Sequence, residues 1–195
     1  MPEPIRSVAV FCGSRPGADP AHAAAAEALG RTLAEAGLTL VYGGGGIGLM
    51  GKVAEAAIAA GGQVHGVIPE FLTRIERVYP EITELEVTSS MHSRKTRMYE
   101  LSDAFIVLSG GLGTMDELME VLTWRQLGLH DKPIILLDIA GWARPLLALF
   151  DHLIEAGFVA ADGRQLFAVA ADVPAAMALL RASPADEASA PAERL

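Results

Sequence analysis

Short apolar runs alternate with longer amphipathic segments along most of the chain. Apolar runs of strand length lie at residues 8–11, 38–42, 63–68, 104–108, 134–137 and 166–169, and residues 83–88 alternate in polarity. Helix-like segments separate them, at residues 20–36, 49–60, 91–101, 114–127, 141–156 and 173–180. Strands that alternate with helices are typical of repeated βα units. We therefore expect an α/β fold, a doubly wound, Rossmann-like parallel sheet with helices on both faces.

The length of 195 residues fits one domain with a sizeable core. No internal repeat or interdomain linker interrupts the alternation, so residues 1–181 are predicted to form a single domain. Residues 69–80 read as irregular with a short helix. The last stretch, residues 182–195, is rich in alanine, proline and glutamate, and we predict that it is a disordered tail.

Composition and charge narrow the class of partner. Hydrophobic residues make up 51% of the chain, charged residues 20%, and the formal net charge is −9. Proteins that follow polymeric nucleic acid usually present a basic face, so this charge argues against such a partner. A single small anion can still be bound by local donors.

The cellular compartment is predicted from the lack of a cysteine pair, a secretion signal and a membrane-spanning segment. Cys12 is the single cysteine, so no intramolecular disulfide can form, and residues 1–7 lack the apolar run of a secretion signal. Asp138, Arg144 and Pro145 interrupt the apolar stretch at residues 134–150, which is too short for the roughly 20 apolar residues that span a bilayer. We expect a cytoplasmic protein without a membrane partner.

A glycine turn follows the apolar run at residues 104–108. Gly110, Gly111 and Gly113 let the backbone approach a ligand closely, and a helix that starts near Thr114 would offer unpaired N–H groups to an anion. Phosphate is the natural ligand of such a turn.

Glu117 has both a structural and a chemical interpretation. Thr114 and Glu117 fit a capping box, in which Thr114 is the N-cap and Glu117 bonds back to its N–H. Glu117 also shares a mostly apolar helix face with Val121, Trp124 and Gly128. A carboxylate on that face lies near protein and near the helix start.

Two earlier strands also end in turns. Gly13 and Ser14 follow the first strand, where ligands of open parallel sheets bind, although Ser14 could equally be an N-cap. The second turn, Gly43 to Gly46, belongs to a literal GxGxxG pattern that ends at Gly48. With Glu70 about 20 residues later, a dinucleotide site stays open as an alternative.

Arg94 is placed on the apolar face of a helix. Met91, Arg94, Met98 and Leu101 follow helical spacing. An arginine is seldom buried unpaired, so it needs an acidic partner within the protein or an anionic ligand. Periodicity alone favours neither. Arg97 lies off this face, where solvation is the default.

Two motifs carry a resemblance to a known family. Residues 109–117, SGGLGTMDE, resemble the PGGxGTxxE motif of the Lonely Guy family, with Ser109 in place of proline. Residues 91–98, MHSRKTRM, resemble that family's second motif. The resemblance runs from about residue 8 to residue 169. It implies a nucleotide-binding fold and hydrolysis of the N-glycosidic bond of cytokinin riboside 5′-monophosphates and AMP.

The resemblance also implies roles for particular residues. Arg94 and Glu117 would be catalytic, and no cofactor or metal would be needed. A small-molecule nucleoside monophosphate would be the partner, and the protein would be a homodimer. The expected substrate-binding residues are Gly13, Ser14, Gly43, Gly44, Gly45, Gly46, Met91, Lys95, Gly110, Gly111, Leu112, Gly113 and Thr114.

Other function classes have weaker support. The five histidines show no i, i+4 pair and no cysteine cluster, so no metal site is predicted. Pyridoxal phosphate would need a lysine for its Schiff base, and nothing singles out one of Lys52, Lys95 and Lys132. A non-catalytic nucleotide carrier and a nicotinamide-dependent oxidoreductase remain as alternatives. A carrier would not need both Arg94 and Glu117 directed at one sugar.

Overall fold

The computed structural model describes residues 4–74, 79 and 81–182. Its centre is a seven-stranded parallel sheet in the order β4-β3-β2-β1-β5-β6-β7. The strands are β1 (Ser7–Phe11), β2 (Thr39–Tyr42), β3 (Val64–Pro69), β4 (Glu84–Thr88), β5 (Ala104–Val107), β6 (Ile134–Leu137) and β7 (Ala168–Ala170). The helices are α1 (Pro20–Glu35), α2 (Gly48–Ala59), α3 (Glu70–Thr73), α4 (Met91–Glu100), α5 (Leu112–Gln126), α6 (Arg144–Glu155) and α7 (Val173–Ala182). The predicted α/β class and sheet are confirmed.

Helices cover both faces of the sheet because alternate strand residues point to opposite sides. On one face, Val8 and Val10 of β1 pack in a core with apolar residues of α1, α2 and α7. On the other face, Ala9 and Phe11 pack in a second core with α4, α5 and α6. The near-continuous apolar runs of the central strands are therefore explained by burial on both faces.

Three predicted starts are displaced by two or three residues, and each displacement has a local reason. Helix α5 begins at Leu112 rather than at residue 114, because Gly111 is its N-cap. Helix α6 begins at Arg144 rather than at residue 141, because a 3₁₀ turn at Ile139–Gly141 precedes it. Residues Gly163–Leu166 form another 3₁₀ turn, which moves the last strand to Ala168–Ala170 from the predicted 166–169.

The sheet places its ligand crevice between β1 and β5. Chain order runs outward in one direction from β1 through β2 to β4, and in the other from β5 to β7. Strands β1 and β5 pair in parallel, with Phe11 opposite Val107. Beyond the strands, the Gly13 N–H donates to the Ser109 carbonyl at 3.0 Å. Both turns therefore open at the switch point where α/β sheets bind ligands.

Some predictions concern residues outside the described part of the chain. The segment predicted as irregular, residues 69–80, contains the short helix α3, and its residues 75–78 and 80 lie outside the described part of the chain. The predicted tail at 182–195 also lies outside, except for residue 182 at the end of α7. The single-domain boundary stays a prediction. Among the described helices, none has the length and apolar character needed to cross a membrane.

Candidate active site

Arg94 lies in the interior, where three elements meet it. It is 7% exposed. Its Nε donates to the Val67 carbonyl of β3 at 3.0 Å, and its Nη2 donates to the Gly43 carbonyl after β2 at 3.2 Å. The remaining terminal nitrogen, Nη1, is 3.4 Å from Oε1 of Glu117 on α5. A buried guanidinium is tolerable here because fixed acceptors surround it.

Gly43 is a glycine because Arg94 needs the space beside it. A Cβ atom at this position would overlap Nη2 of Arg94 and would lie 3.0 Å from the sulfur of Met50. The guanidinium therefore packs directly on the backbone of the turn. Gly43 is therefore required by the packing of Arg94, independently of any ligand.

Glu117 is buried on the first half of α5, with 8% of its surface exposed. Burial raises its pKa from 4.5 to about 7, an effect that Arg94 opposes. The negative charges of Asp116 and Glu120 raise the pKa further, and Lys95 lowers it. Glu117 is therefore a carboxylate that gains or loses its proton near neutral pH, a property common in functional sites.

The predicted capping box at Thr114 and Glu117 is wrong. The N-cap is Gly111, which offers no side chain to the helix, and Thr114 is a buried residue in the first turn. Glu117 lies too far into the helix to bond the N-cap N–H. Its burial on the apolar face thus has no capping explanation, and its charged partner there is Arg94.

The start of α5 has free backbone donors. Among the described residues, the N–H groups of Leu112, Gly113 and Thr114 donate to no carbonyl or side chain. Unpaired N–H groups in the first turn, with the helix dipole behind them, favour an anion. Because Gly111 supplies no capping oxygen, the donors stay available to a ligand.

The glycines of this turn divide into two kinds. A Cβ at Gly110 would overlap the side chain of Thr114, so this glycine is required by packing. A Cβ at Gly111 or Gly113 would meet nothing within 4 Å, and both residues are exposed. Leu112 between them is 90% exposed. Open space therefore lies next to the free donors.

The second glycine turn differs, because its helix start is already occupied. The Leu49 and Met50 N–H groups of α2 both donate to the Gly13 carbonyl, at 3.0 and 3.3 Å. These are donors that a dinucleotide pyrophosphate would need. Glu70, the candidate ribose ligand, is exposed at the start of α3. The structure favours an anion at α5 over a dinucleotide at α2.

The remaining predicted substrate-binding residues lie near Arg94 and Glu117 or in the turns that follow β1 and β2. Gly44 and Gly45 are buried, Gly46 is half-buried, and Ser14 is exposed after Gly13. Met91 is half-buried at the start of α4, where Ser90 and Ser93 form the capping box of that helix. Cys12 lies buried in the core, and this burial raises its pKa.

Lys95 connects α4 to α5 beside Glu117. Its Nζ is 3.1 Å from Oδ2 of Asp116 and 3.2 Å from Oε2 of Glu120. Burial lowers the pKa of Lys95, but hydrogen bonds to the two carboxylates raise it more. The acidic partners, four residues apart on one helix, were not singled out from the sequence. The i, i+4 spacing of Asp116 and Glu120 was the feature of the sequence that could have predicted their shared partner.

Comparison with known proteins identifies the family. The family described as "Possible lysine decarboxylase" matches residues 50–180. The chain is 48% identical over 177 residues to the cytokinin riboside 5′-monophosphate phosphoribohydrolase of Rhodococcoides fascians, covering 90% of this chain and 89% of that one. This chain belongs to the Lonely Guy family. The Oryza sativa subsp. japonica member LOG is 45% identical over 162 residues, covering 83% of this chain and 67% of that one.

Solved structures show the same fold outside the Lonely Guy phosphoribohydrolases. The molybdenum cofactor carrier protein of Chlamydomonas reinhardtii superposes with a TM-score of 0.70 at 25% identity. The alignment covers 92% of this chain and 97% of the carrier. The fold by itself therefore does not separate a hydrolase from a carrier, and function has to be argued from the site.

Gly43→Ala should displace Arg94 without removing any charged group. The added methyl overlaps the guanidinium, so Arg94 should lose its bonds to the turn and its position beside Glu117. We expect turnover of a nucleoside monophosphate to fall on the order of 10²-fold. Steady-state assays and circular dichroism would measure this. A folded variant with unchanged turnover would show that the position of Arg94 is unimportant.

Glu117 should make stability depend on pH. Between 4.5 and about 7 the folded protein retains a proton that the unfolded chain releases. Stability from this group is therefore present at low pH and lost as the pH rises to about 7. Glu117→Gln removes the titration, so its stability relative to the parent should rise by about 3 kcal/mol between roughly pH 5 and pH 8.

Urea denaturation at both pH values would measure that difference. Glu155→Gln, which removes an exposed carboxylate from α6, is the matched control for the change in net charge. A difference for Glu117→Gln no larger than for Glu155→Gln would contradict the raised pKa.

Proposed function

We propose that the protein hydrolyses the N-glycosidic bond of nucleoside 5′-monophosphates, of the cytokinin riboside type and AMP, to the free base and ribose 5-phosphate. The observation that carries this proposal is the buried pair of Arg94 on α4 and Glu117 on α5, the helix whose first N–H groups are free. The names of the Rhodococcoides fascians and Oryza sativa relatives support the same reaction. Water is the second substrate, and the reaction requires no cofactor or metal.

The phosphate takes the start of α5. The donors of Leu112, Gly113 and Thr114 lie along one turn, beside the open space at Gly111 and Gly113. Gly113 precedes Glu117 by four residues, about 6 Å along the helix axis. This spacing suits a ribose that extends from the phosphate towards the carboxylate.

Glu117 acts on the ribose. As the base departs, the ribose becomes cation-like, and an ionised carboxylate stabilises that charge, holds ribose hydroxyls or orients the water. Arg94 keeps the carboxylate in place and is available to the anionic substrate or the departing base. Because the pKa of Glu117 is about 7, the ionised form is present in useful amounts at neutral pH.

The protein acts as a cytoplasmic homodimer in this proposal. The dimer rests on family membership, and the exposed Leu112 side chain beside the site is apolar surface that a second copy would cover. Its partners are small nucleotides, and neither polymeric nucleic acid nor a membrane is required.

The substrate assay is the direct test. Incubation with AMP and with isopentenyladenosine monophosphate should release free base, as detected by chromatography. The matching nucleosides, adenosine and isopentenyladenosine, should be cleaved at least about 10²-fold less efficiently, because they lack the phosphate that the α5 donors bind. Equal cleavage of nucleoside and monophosphate would contradict the phosphate site. Binding of monophosphates without base release would favour a carrier.

Glu117→Gln should separate binding from chemistry. The amide keeps the length and shape of the side chain but carries no charge. We expect turnover to fall by about 10² or more, whereas ribose 5-phosphate should bind at least as tightly as it does to the parent, because a negative charge near the anion is removed. Glu155→Gln, which changes an exposed carboxylate on α6, is the matched control. A folded Glu117→Gln protein with nearly parental base release would exclude a catalytic role for the carboxylate.

The dimer has its own measurement. Light scattering should give a mass about twice the 20.5 kDa of the chain. A monomer mass across micromolar concentrations would remove the dimer and leave the proposed chemistry intact.

A further inference from the structure

The turn at residues 109–113 joins β5 to α5. Residues from other elements form hydrogen bonds to it. Oγ of Ser109 and Nδ1 of His22 share a hydrogen bond of 2.8 Å. The indole N–H of Trp142 donates to the Gly110 carbonyl at 3.2 Å. The Gly13 N–H donates to the Ser109 carbonyl at 3.0 Å. Ser109 and Gly110, which precede the N-cap Gly111, are thus restrained by three hydrogen bonds to residues outside the turn.

His22 is itself firmly placed. It lies in the first turn of α1, whose N-cap Asp19 accepts a hydrogen bond from the Ala21 N–H at 2.9 Å. Its ring fills the space beside Gly17, where a Cβ would lie 2.9 Å from the ring carbon Cδ2. A side chain restrained in this way can restrain its hydrogen-bond partner in turn.

Ser109 is the residue at which this chain departs from the proline of the resembled motif. Proline would fix the backbone φ angle of the turn, and serine does not. Ser109 is 4% exposed, so its hydroxyl is oriented by His22 with little competition from water. The hydrogen bond therefore supplies a restraint at the position where the covalent ring is missing.

We propose that His22 is a positioning residue, which through Ser109 holds the turn at residues 109–113 in the geometry that binds the substrate phosphate. The inference rests on the proposed function. His22 does not contact the substrate, and its effect passes through the α5 donors. Its loss therefore weakens the binding of phosphate-bearing ligands and leaves the chemistry at Glu117 largely unchanged.

The same hydrogen bond could be taken for an activated serine nucleophile. A catalytic base of this kind is normally oriented by a third group. Among the described residues, Nε2 of His22 has no such partner, and the serine hydroxyl is buried. The geometry points to positioning, and the nucleophile becomes an outcome of the test.

The test combines His22→Ala with Ser109→Pro. His22→Ala alone should raise the KM for AMP and the dissociation constant of ribose 5-phosphate about 5-fold, with kcat within about 2-fold. His22→Asn keeps a hydrogen-bonding atom near the position of Nδ1 and should restore most of the loss. His152→Ala, an exposed histidine on α6, is the control and should change neither value.

Ser109→Pro supplies the restraint covalently. Among the described turns, the Ser109 N–H donates to no carbonyl, so proline removes no backbone hydrogen bond. In this background, adding His22→Ala should change the KM by less than about 1.5-fold. A 5-fold effect of His22→Ala in both backgrounds would overturn the positioning role, as would no effect in either. Loss of turnover in Ser109→Pro with retained ribose 5-phosphate binding would instead support the nucleophile.

Ribose 5-phosphate binding keeps the two proposals apart. If the parent protein releases no base, the proposed function fails, and the binding measurements on the same variants still decide the role of His22. If the parent is active but His22→Ala alters neither KM nor binding, the positioning role alone fails.

Discussion

The ion pair between Arg94 and Glu117 is the interaction on which the site depends. Burying both charges is costly, and the cost is offset only where geometry and additional hydrogen bonds are good. Arg94 meets this condition by donating to the carbonyls of Val67 and Gly43 as well as facing Glu117. A single side chain on α4 thereby connects the turn after β2, the strand β3 and the helix α5.

The two glycine-rich turns look alike in sequence, but the helices that follow them differ in whether their first-turn N–H groups are already hydrogen-bonded. At α2, the first-turn donors are consumed by the Gly13 carbonyl, and Gly43 is packed against Arg94. At α5, the donors are free and open space adjoins Gly111 and Gly113. The first-turn donors of α5 are therefore available to a ligand, whereas those of Leu49 and Met50 in α2 are not. Glycine content alone cannot make this distinction, because it depends on contacts between residues far apart in the chain.

The sequence predicted what local periodicity controls. The alternation of runs gave the sheet and its covering helices, and the spacing of Met91, Arg94 and Met98 placed the arginine on a buried face. It mispredicted the start of α5, because a T-x-x-E pattern one turn inside a helix is indistinguishable from a capping box. The partners of Arg94 and the bond between His22 and Ser109 join residues that are remote in sequence, and no single-chain pattern encodes them.

The buried carboxylate of Glu117 favours a catalytic site over a site that only carries a nucleotide. A site that only holds an anionic nucleotide gains nothing from a buried negative charge one turn beyond the phosphate donors, because like charges repel and burial raises the pKa of Glu117 to about 7. Replacing a buried ion pair by apolar residues is often neutral or stabilising, so stability does not require the pair either. A cation-like ribose does require it, since the charge that weakens ground-state binding of the anion then stabilises the transition state selectively.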